Sequence, residues 1–445
     1  MLDYTQQLAT ILPTALEGSV VRIAGLTVAV AGLPAPLGAL VEIERQQRRP
    51  VEAEVIGLDD GMTLVYPLAS LEGVRQGNRV RLRRTRNWLG VGCGLLSRVV
   101  DARGRCIDGR PQPAATHRVA LDGAPPRAVE RPRIREPLAT GIRAIDGLLT
   151  CGRGQRMGIF AGSGVGKSVT LGIMARHTSA DVNVIALIGE RGRELNEFIE
   201  RDLGPDGLAK SVVVVATSDA PALERVRAAF AATAIAEFFR DQGQDVLLLM
   251  DSLTRFALAQ REIGLAVGEP PTTRGYPPSV FALLPKLVER AGRSPSGSIT
   301  AFYSVLVEAD DPNEPIADAV RGLLDGHTWL SRKLATKGHY PPIDVLESTS
   351  RLMSAVAASG HREAAAAVVE LLAAYREHED LISIGAYRRG ANRVVDVAVE
   401  LLEPIHRFLR QRVDEHSSME DARQAVLQLH ACRVARLAAN SEDPT

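Results

Sequence analysis

The run FAGSGVGKSVTLGIMARH, from Phe160 to His177, sets Gly162, Gly164 and Gly166 ahead of a lysine and a serine. Glycines at this spacing let backbone N–H groups converge on an anion, and the helical pattern that follows puts a helix N-terminus behind it. That is the chemistry of a phosphate cradle. Gly162, Ser163, Gly164, Val165 and Gly166 would form the loop, and Lys167, Ser168 and Val169 would open the helix. Lys167 would place its ammonium between the β- and γ-phosphates, with the Ser168 hydroxyl on Mg²⁺. The implied ligand is a nucleoside triphosphate. Ala161 stands where the G-x-x-x-x-G-K-[ST] pattern has a glycine, which a negative φ would tolerate.

Two carboxylates fit the same site. LLLMDS ends an apolar run on Asp251, which suits a carboxylate holding a Mg²⁺-bound water beside the loop. LIGERGRE puts Glu190 at the end of another apolar run, where it could polarise water attacking the γ-phosphate, and Arg191 beside it could touch the phosphates. Glu194, Glu197 and Glu200 read as an ordinary polar helix face. A lone His327 in DGH reads as structural rather than as a metal ligand.

Elements that could position these residues are legible around them. Short alternating runs broken by glycine and proline, from Gly18 to about Arg84, suggest a small β-barrel. GAPPRAVERPRIREPLATG (123–141) has four prolines and alternating charge, which suits an extended connection. RMGIFAG, DVNVIALIGE, SVVVVATSD, DVLLLMDS and SITAFYSVLVEADD are strand-like, and helical patterns separate them, so a parallel sheet covered on both faces is expected. From about Met353 the pattern is helical. The expected fold class is α/β, with a β-barrel domain over 1–84, a connecting segment over 85–137, a P-loop domain with a parallel sheet over 138–352 and a helical domain over 353–445.

Composition narrows the partners. Lys plus Arg and Asp plus Glu number 53 each, so no global field favours nucleic acid or a membrane surface. Cys93, Cys106, Cys151 and Cys432 are scattered without C-x-x-C spacing, which suggests neither a zinc site nor a disulfide framework and fits a reducing cytoplasm. The N-terminus lacks the pattern of a secretion signal, and apolar stretches stop short of a membrane span. Leu2, Leu8, Ile11 and Leu12 could line a short helix that docks on a membrane or a regulatory partner.

Five ordered motifs extend the reading: SRVVDARGRCIDG (97–109), EPLATGIRAIDGLLTCGRGQRMGIFAGSGVGKS (136–168), LIGERGRE (187–194), MDSLTRFALAQREIGLAVGEPPTTRGYPPSVFALLPKLVERAG (250–292) and DGHTWLSRKLATKGHYPPIDVLESTSR (325–351). Over almost its whole length the chain resembles the type III protein export ATPases, relatives of the catalytic subunits of rotary F-type and V-type ATPases. The segment EDLISIGAYRRGANRVVDVAV (379–399) resembles the export branch, the flagellar members first and those of virulence injectisomes second. The resemblance implies an ATP-hydrolysing, Mg²⁺-dependent homohexamer, with 138–352 as a RecA-like P-loop ATPase domain. Lys167 and Ser168 would be the P-loop pair, Glu190 the water-activating base and Asp251 the carboxylate on the Mg²⁺ side. It adds Arg351 as an arginine finger reaching a neighbouring subunit, Tyr340 as the aromatic stacked on adenine, and Tyr387 as a further wall of the adenine pocket. GEPPTTRGYPPSV would line a central opening. Cys106 departs from the family's proline. Implied partners are regulator and stalk proteins, exported substrates and their chaperones, at the cytoplasmic side of an inner-membrane export gate, with no nucleic acid.

Relatives with other work set the alternatives. A rotary ATP synthase subunit would share the chemistry, but the C-terminal segment argues against it. A non-catalytic scaffold subunit would have its carboxylate at position 190 replaced, and Glu190 is present. A transcription-termination motor would need an aromatic, basic groove that the balanced charge does not supply.

Overall fold

The protein is described by a computed structural model covering residues 16–46, 48–307, 311 and 314–439. The expected N-terminal helix lies outside the described residues. Alternation along the first strands decides their architecture: Leu40–Ile43 and the first five residues of Val51–Asp59 bury every second side chain, the signature of a sheet with one dry face. Six strands close into a barrel in the order Glu17–Ala24, Thr27–Ala31, Met62–Pro67, Val51–Asp59, Leu40–Ile43 and Arg79–Arg84. Val28, Val30, Val41, Ile43, Val65 and Val80 fill its interior.

The stretch expected as a connection over 85–137 has elements of its own. Trp88–Val91 pairs with His117–Ala120, and Arg98–Asp101 runs parallel to Ser211–Ala216 as an edge strand of the central sheet. Four residues are too few for periodicity to declare a strand, and the partner strand comes far later in the chain. Asp108 fixes this edge, accepting from Arg98 Nε and a terminal nitrogen at 2.7 Å each. Cys106 donates its backbone N–H to Gln112 Oε1 at 2.7 Å, a bond that proline could not make.

The central sheet is ordered Ile343–Ser350, Gly326–Leu330, Arg156–Ala161, Ser298–Leu306, Asp245–Asp251, Val182–Ile188, Ser211–Ala216 and Arg98–Asp101, with Gly292–Arg293 paired on Ser298–Leu306. Apart from Gly292–Arg293 and the edge strand Ile343–Ser350, which run antiparallel, its neighbours are parallel. All seven residues of Val182–Ile188 are buried because helices cover both faces. Successive side chains enter different cores: Val184, Ala186 and Ile188 pack with the long helix Ala222–Asp241, while Ile185 and Leu187 pack with the helix Lys167–His177.

The C-terminal helices Ser359–Ser383, Arg393–Leu409 and Met419–Ala439 join this second core through Ala364, Val368, Leu401 and Val426. His361, in the alanine-rich helix, is buried with its Nε2 2.7 Å from the Gly147 carbonyl, so that helix docks on Arg143–Leu148. The barrel, the parallel sheet and the helical C-terminal region agree with the expected fold class.

Candidate active site

Strand Arg156–Ala161 runs into the glycine loop, and helix Lys167–His177 leaves it. Ala161 closes its strand without a positive φ, which removes the objection to alanine there. Gly166 caps the helix at φ 96°, ψ 20°, a left-handed conformation that a Cβ would strain. Val165 is buried and anchors the loop to the core, while Ser163, Gly164 and Ser168 are exposed at its rim. Gly162 is buried, and Val169 is half-buried against the second core.

Lys167 Nζ lies 2.5 Å from Asp251 Oδ1 and 3.8 Å from Glu190 Oε1. The parallel register explains the convergence: Asp251 and Glu190 end, or follow, strands whose carboxyl ends share the loop's edge of the sheet. Asp251 is nearly fully buried and also accepts from Ser304 Oγ at 2.7 Å. Both of these bonds fall on Oδ1. Glu190 is pushed up to about 7, first by burial and then by the Asp251 charge, against the opposing charges of Lys167 and Arg255. Asp251 is thus held against the Lys167 ammonium, while Glu190 is poised to exchange a proton near neutrality.

Gly189 makes the turn that delivers Glu190. Its φ is 72°, and a Cβ there would come within 3.0 Å of Arg255 Cβ. Mg²⁺ keeps several waters and takes few oxygen ligands from protein. The exposed Ser168 hydroxyl and the Asp251 carboxylate suit such a cation, although the described residues hold no cluster of three or more His, Cys, Asp or Glu arranged for a metal.

Tyr340 reaches the same edge. It is 50% exposed, and a Cβ on Gly166 would lie 3.8 Å from its ring. The backbone behind it is held by Gln411, whose N–H donates to the Tyr340 carbonyl at 2.9 Å. Gln411 is buried, its Oε1 accepts from Arg143 N at 2.9 Å and its Nε2 donates to the Gly141 carbonyl at 2.8 Å. His339, beside Tyr340, is pushed down to about 4 by burial and by the charges of His406 and Arg410, so its imidazole is neutral.

Three expected residues stand apart from this cluster. Arg191 has a side chain 79% exposed and lies 3.8 Å from Glu194. Tyr387 spends its hydroxyl on the Asn392 carbonyl at 3.0 Å and on Asp396 Oδ1 at 2.9 Å. Arg351 follows the antiparallel edge strand, whose Ile343 faces Leu330 and whose Ser350 faces Gly326. That strand bulges, so its eight residues pair along only the five of Gly326–Leu330, about 13 Å at roughly 3.3 Å per residue. Arg351 thus lies at the opposite end of the sheet from the loop, beyond the reach of its own chain's phosphate cradle.

Sequence reasoning passed over Ser304, Arg255 and Gln411. Ser304 carried a weak signal, a small hydroxyl residue near the carboxyl end of a largely apolar strand. The other two carried none, because their partners are distant in the chain. His327 is structural, with Nε2 3.0 Å from the Glu347 carbonyl and its ring 5.5 Å from that of Phe160. Among the described residues no helix is long and apolar enough to cross a membrane.

Residues 141–350 match the ATP synthase alpha/beta family, nucleotide-binding domain, and residues 357–428 match the T3SS EscN ATPase C-terminal domain. The flagellum-specific ATP synthase of Bacillus subtilis is 50% identical over 93% of this chain and 94% of its own length. The type 3 secretion system ATPase of Xanthomonas euvesicatoria is 50% identical over 94% of each. Among solved structures, the assembled ATPase EscN of the enteropathogenic E. coli type III secretion system superposes with a TM-score of 0.89 at 45% identity, over 93% of this chain and 100% of that one.

Proposed function

This chain belongs to the family of flagellum-specific ATP synthases and type 3 secretion system ATPases, and on that footing we propose how its residues hydrolyse ATP to drive type III protein export. The protein is an ATPase of that export process. The observation that carries the assignment of roles is the convergence of Lys167, Asp251 and Glu190 at the mouth of the glycine loop.

On entry, the phosphates take Lys167 from Asp251, and its ammonium moves to the β- and γ-phosphates. The loop from Gly162 to Val169 supplies backbone N–H groups to the phosphate oxygens. Glu190 accepts the proton of the water that attacks the γ-phosphorus while the bond to the ADP oxygen breaks, leaving ADP, phosphate and a protonated carboxyl. Ser168 and Asp251 are the residues that would hold Mg²⁺, which when bound neutralises charge on the phosphates. Tyr340 stacks on adenine. Arg191 is an outer phosphate contact that must leave Glu194 to act.

Arg351 completes the site of the next subunit, so the working form is a homohexamer with sites between chains. A relative has been solved assembled and in complex with its central stalk, EscO; a stalk protein, a regulator, chaperoned substrates and peripheral contact with the inner-membrane export gate are the partners proposed here. Flagellar components are the proposed cargo. Loss of filaments on deletion of the gene would support that cargo; intact filaments with loss of another type III secretion activity would assign the chain to an injectisome.

The roles are tested by separating binding from turnover. Glu190→Gln should bind ATP and fail to turn it over, whereas Lys167→Ala should lose both. Vanished affinity in Glu190→Gln, with binding and hydrolysis retained in Lys167→Ala, would overturn the assignment.

A further inference from the structure

Tyr340 is joined to the C-terminal helices more firmly than its half-exposed ring suggests. Its carbonyl accepts from the Gln411 N–H at 2.9 Å, and the ring of its chain neighbour His339 lies 5.6 Å from that of His406 on the helix Arg393–Leu409. Gln411 follows the end of that helix by two residues. An unanchored residue there would be a soft support. Gln411 is instead 4% exposed, with its side-chain amide spent in three directions. Oε1 accepts from Arg143 N at 2.9 Å, and Nε2 donates to the carbonyls of Gly141 at 2.8 Å and Glu415 at 3.0 Å.

The segment around Gln411 is tied down from two further places. Arg143 donates from Nε to the Phe408 carbonyl at 3.0 Å and from a terminal nitrogen to the Arg410 carbonyl, and it pairs with Glu415. Arg176, in the last turn of the helix Lys167–His177, donates to the Val413 carbonyl at 2.8 Å. Gly141 closes the circuit. Its φ is 77°, and a Cβ on it would fall 2.3 Å from His177 Cβ, so the backbone that offers its carbonyl to Gln411 is packed against the end of the same helix. One buried amide thus braces the backbone that carries Tyr340 against the helix that begins at Lys167. A buried network whose members all have partners is rigid, and truncating Gln411 would leave the Gly141 carbonyl and the Arg143 N–H without theirs.

We propose that Gln411 is a positioning residue for the nucleotide base: it holds the Tyr340 backbone so that the ring stands where adenine stacks, and it ties occupancy of that ring to the C-terminal helices. This role rests on the stacking proposed for Tyr340. The coupling runs both ways. Adenine on the ring restrains the backbone whose carbonyl Gln411 holds, and a loosened Gln411 frees the ring. Phosphate groups without a base engage the glycine loop and leave the ring uncovered, so their binding does not draw on this brace.

A double-mutant cycle read with two ligands, ATP and inorganic tripolyphosphate, each with Mg²⁺, tests this on the full chain. Gln411→Ala should raise the KM for ATP by roughly five-fold, part of the worth of stacking a base, with kcat little changed and inhibition by tripolyphosphate as in the wild type. In a Tyr340→Ala background the same substitution should add less than about two-fold to KM, because the ring it positions is gone. If Gln411→Ala does not fold, hydrogen exchange of the wild-type chain carries the test. The Gln411 N–H should then exchange roughly five-fold more slowly with a non-hydrolysable ATP analogue bound than with tripolyphosphate bound. An unchanged KM in Gln411→Ala, equal losses toward ATP and tripolyphosphate, the full effect without the Tyr340 ring, or equal exchange with either ligand would overturn the positioning role. An unchanged KM in Tyr340→Ala would instead overturn the stacking on which that role rests.

Discussion

The two ends of the central sheet are built to different standards of completeness. At the carboxyl ends of the parallel strands, a lysine, two carboxylates and an aromatic ring converge from four separate segments. At the other end Arg351 stands exposed, its backbone N–H on the Asp325 carbonyl at 3.0 Å, with no phosphate cradle of its own chain near it. On the proposed reading, the first end awaits a neighbour's guanidinium for its transition state, and the second end offers one. The antiparallel turn of one edge strand separates them. With the role proposed for Arg351, such a chain holds parts of two sites, and copies must meet for either to work.

The largest expected effect tests that division. Arg351→Ala and Lys167→Ala should each lower hydrolysis by about 10³-fold or more, the worth of an arginine finger or of the phosphate lysine. Only the second should lose ATP binding. Mixed, the two variants should regain activity at interfaces where the intact loop of one faces the intact finger of the other. No recovery in rings shown to be mixed, or full specific activity in dilute monomer, would place Arg351 in its own chain's site and end the comparison.

Within the complete end, the two carboxylates should answer differently to pH. Glu190→Gln should cost about 10²-fold or more in turnover, as expected when a general base is removed. Glu190 stands near 7 and must be ionised to accept a proton, so turnover should rise with pH through neutrality and level above it. That rising limb should vanish from the residual activity of Glu190→Gln. An unchanged limb would mean that some other group is the base.

A smaller effect is expected from the ring at the edge. Tyr340→Ala should raise the KM for ATP by roughly ten-fold with kcat little changed, because stacking a base on an aromatic side chain is worth about 1–3 kcal/mol. Tyr340→Phe should keep the wild-type KM, since stacking uses the ring face and not the hydroxyl. Loss of kcat in Tyr340→Ala at an unchanged KM would assign the tyrosine to the chemistry instead.

What could be read from the residues follows how local each feature is. Strand, glycine loop and helix are contiguous, so the phosphate cradle declares itself within eighteen residues, 160–177. Asp251 and Glu190 needed only the ends of apolar runs. The edge strand Arg98–Asp101 was hidden because four residues set no period and its partner comes far later in the chain. Arg351 and Tyr340 are legible through resemblance alone, since the group each is proposed to serve is not in the same stretch and, for Arg351, is proposed to lie in another chain.

The smallest expected effect concerns Tyr387, which resemblance placed in the adenine pocket beside Tyr340. Its hydroxyl holds Asp396, which also accepts from the Gly390 N–H at 2.8 Å, and the Asn392 carbonyl. Asn392 in turn caps the helix Arg393–Leu409 through the N–H groups of Val394 and Val395. Removing the hydroxyl should therefore loosen a helix start in the C-terminal region. Tyr387→Phe is expected to cost about 1 kcal/mol of stability, the net worth of such hydrogen bonds, read as a lowered Tm with the KM for ATP unchanged. Tyr387→Ala separates ring from hydroxyl. A KM raised as far as in Tyr340→Ala would put the ring against adenine, and the nucleotide end of the sheet would then extend into the C-terminal helices. A KM that stays level while Tm falls would confine Tyr387 to capping and leave Tyr340 to hold the base.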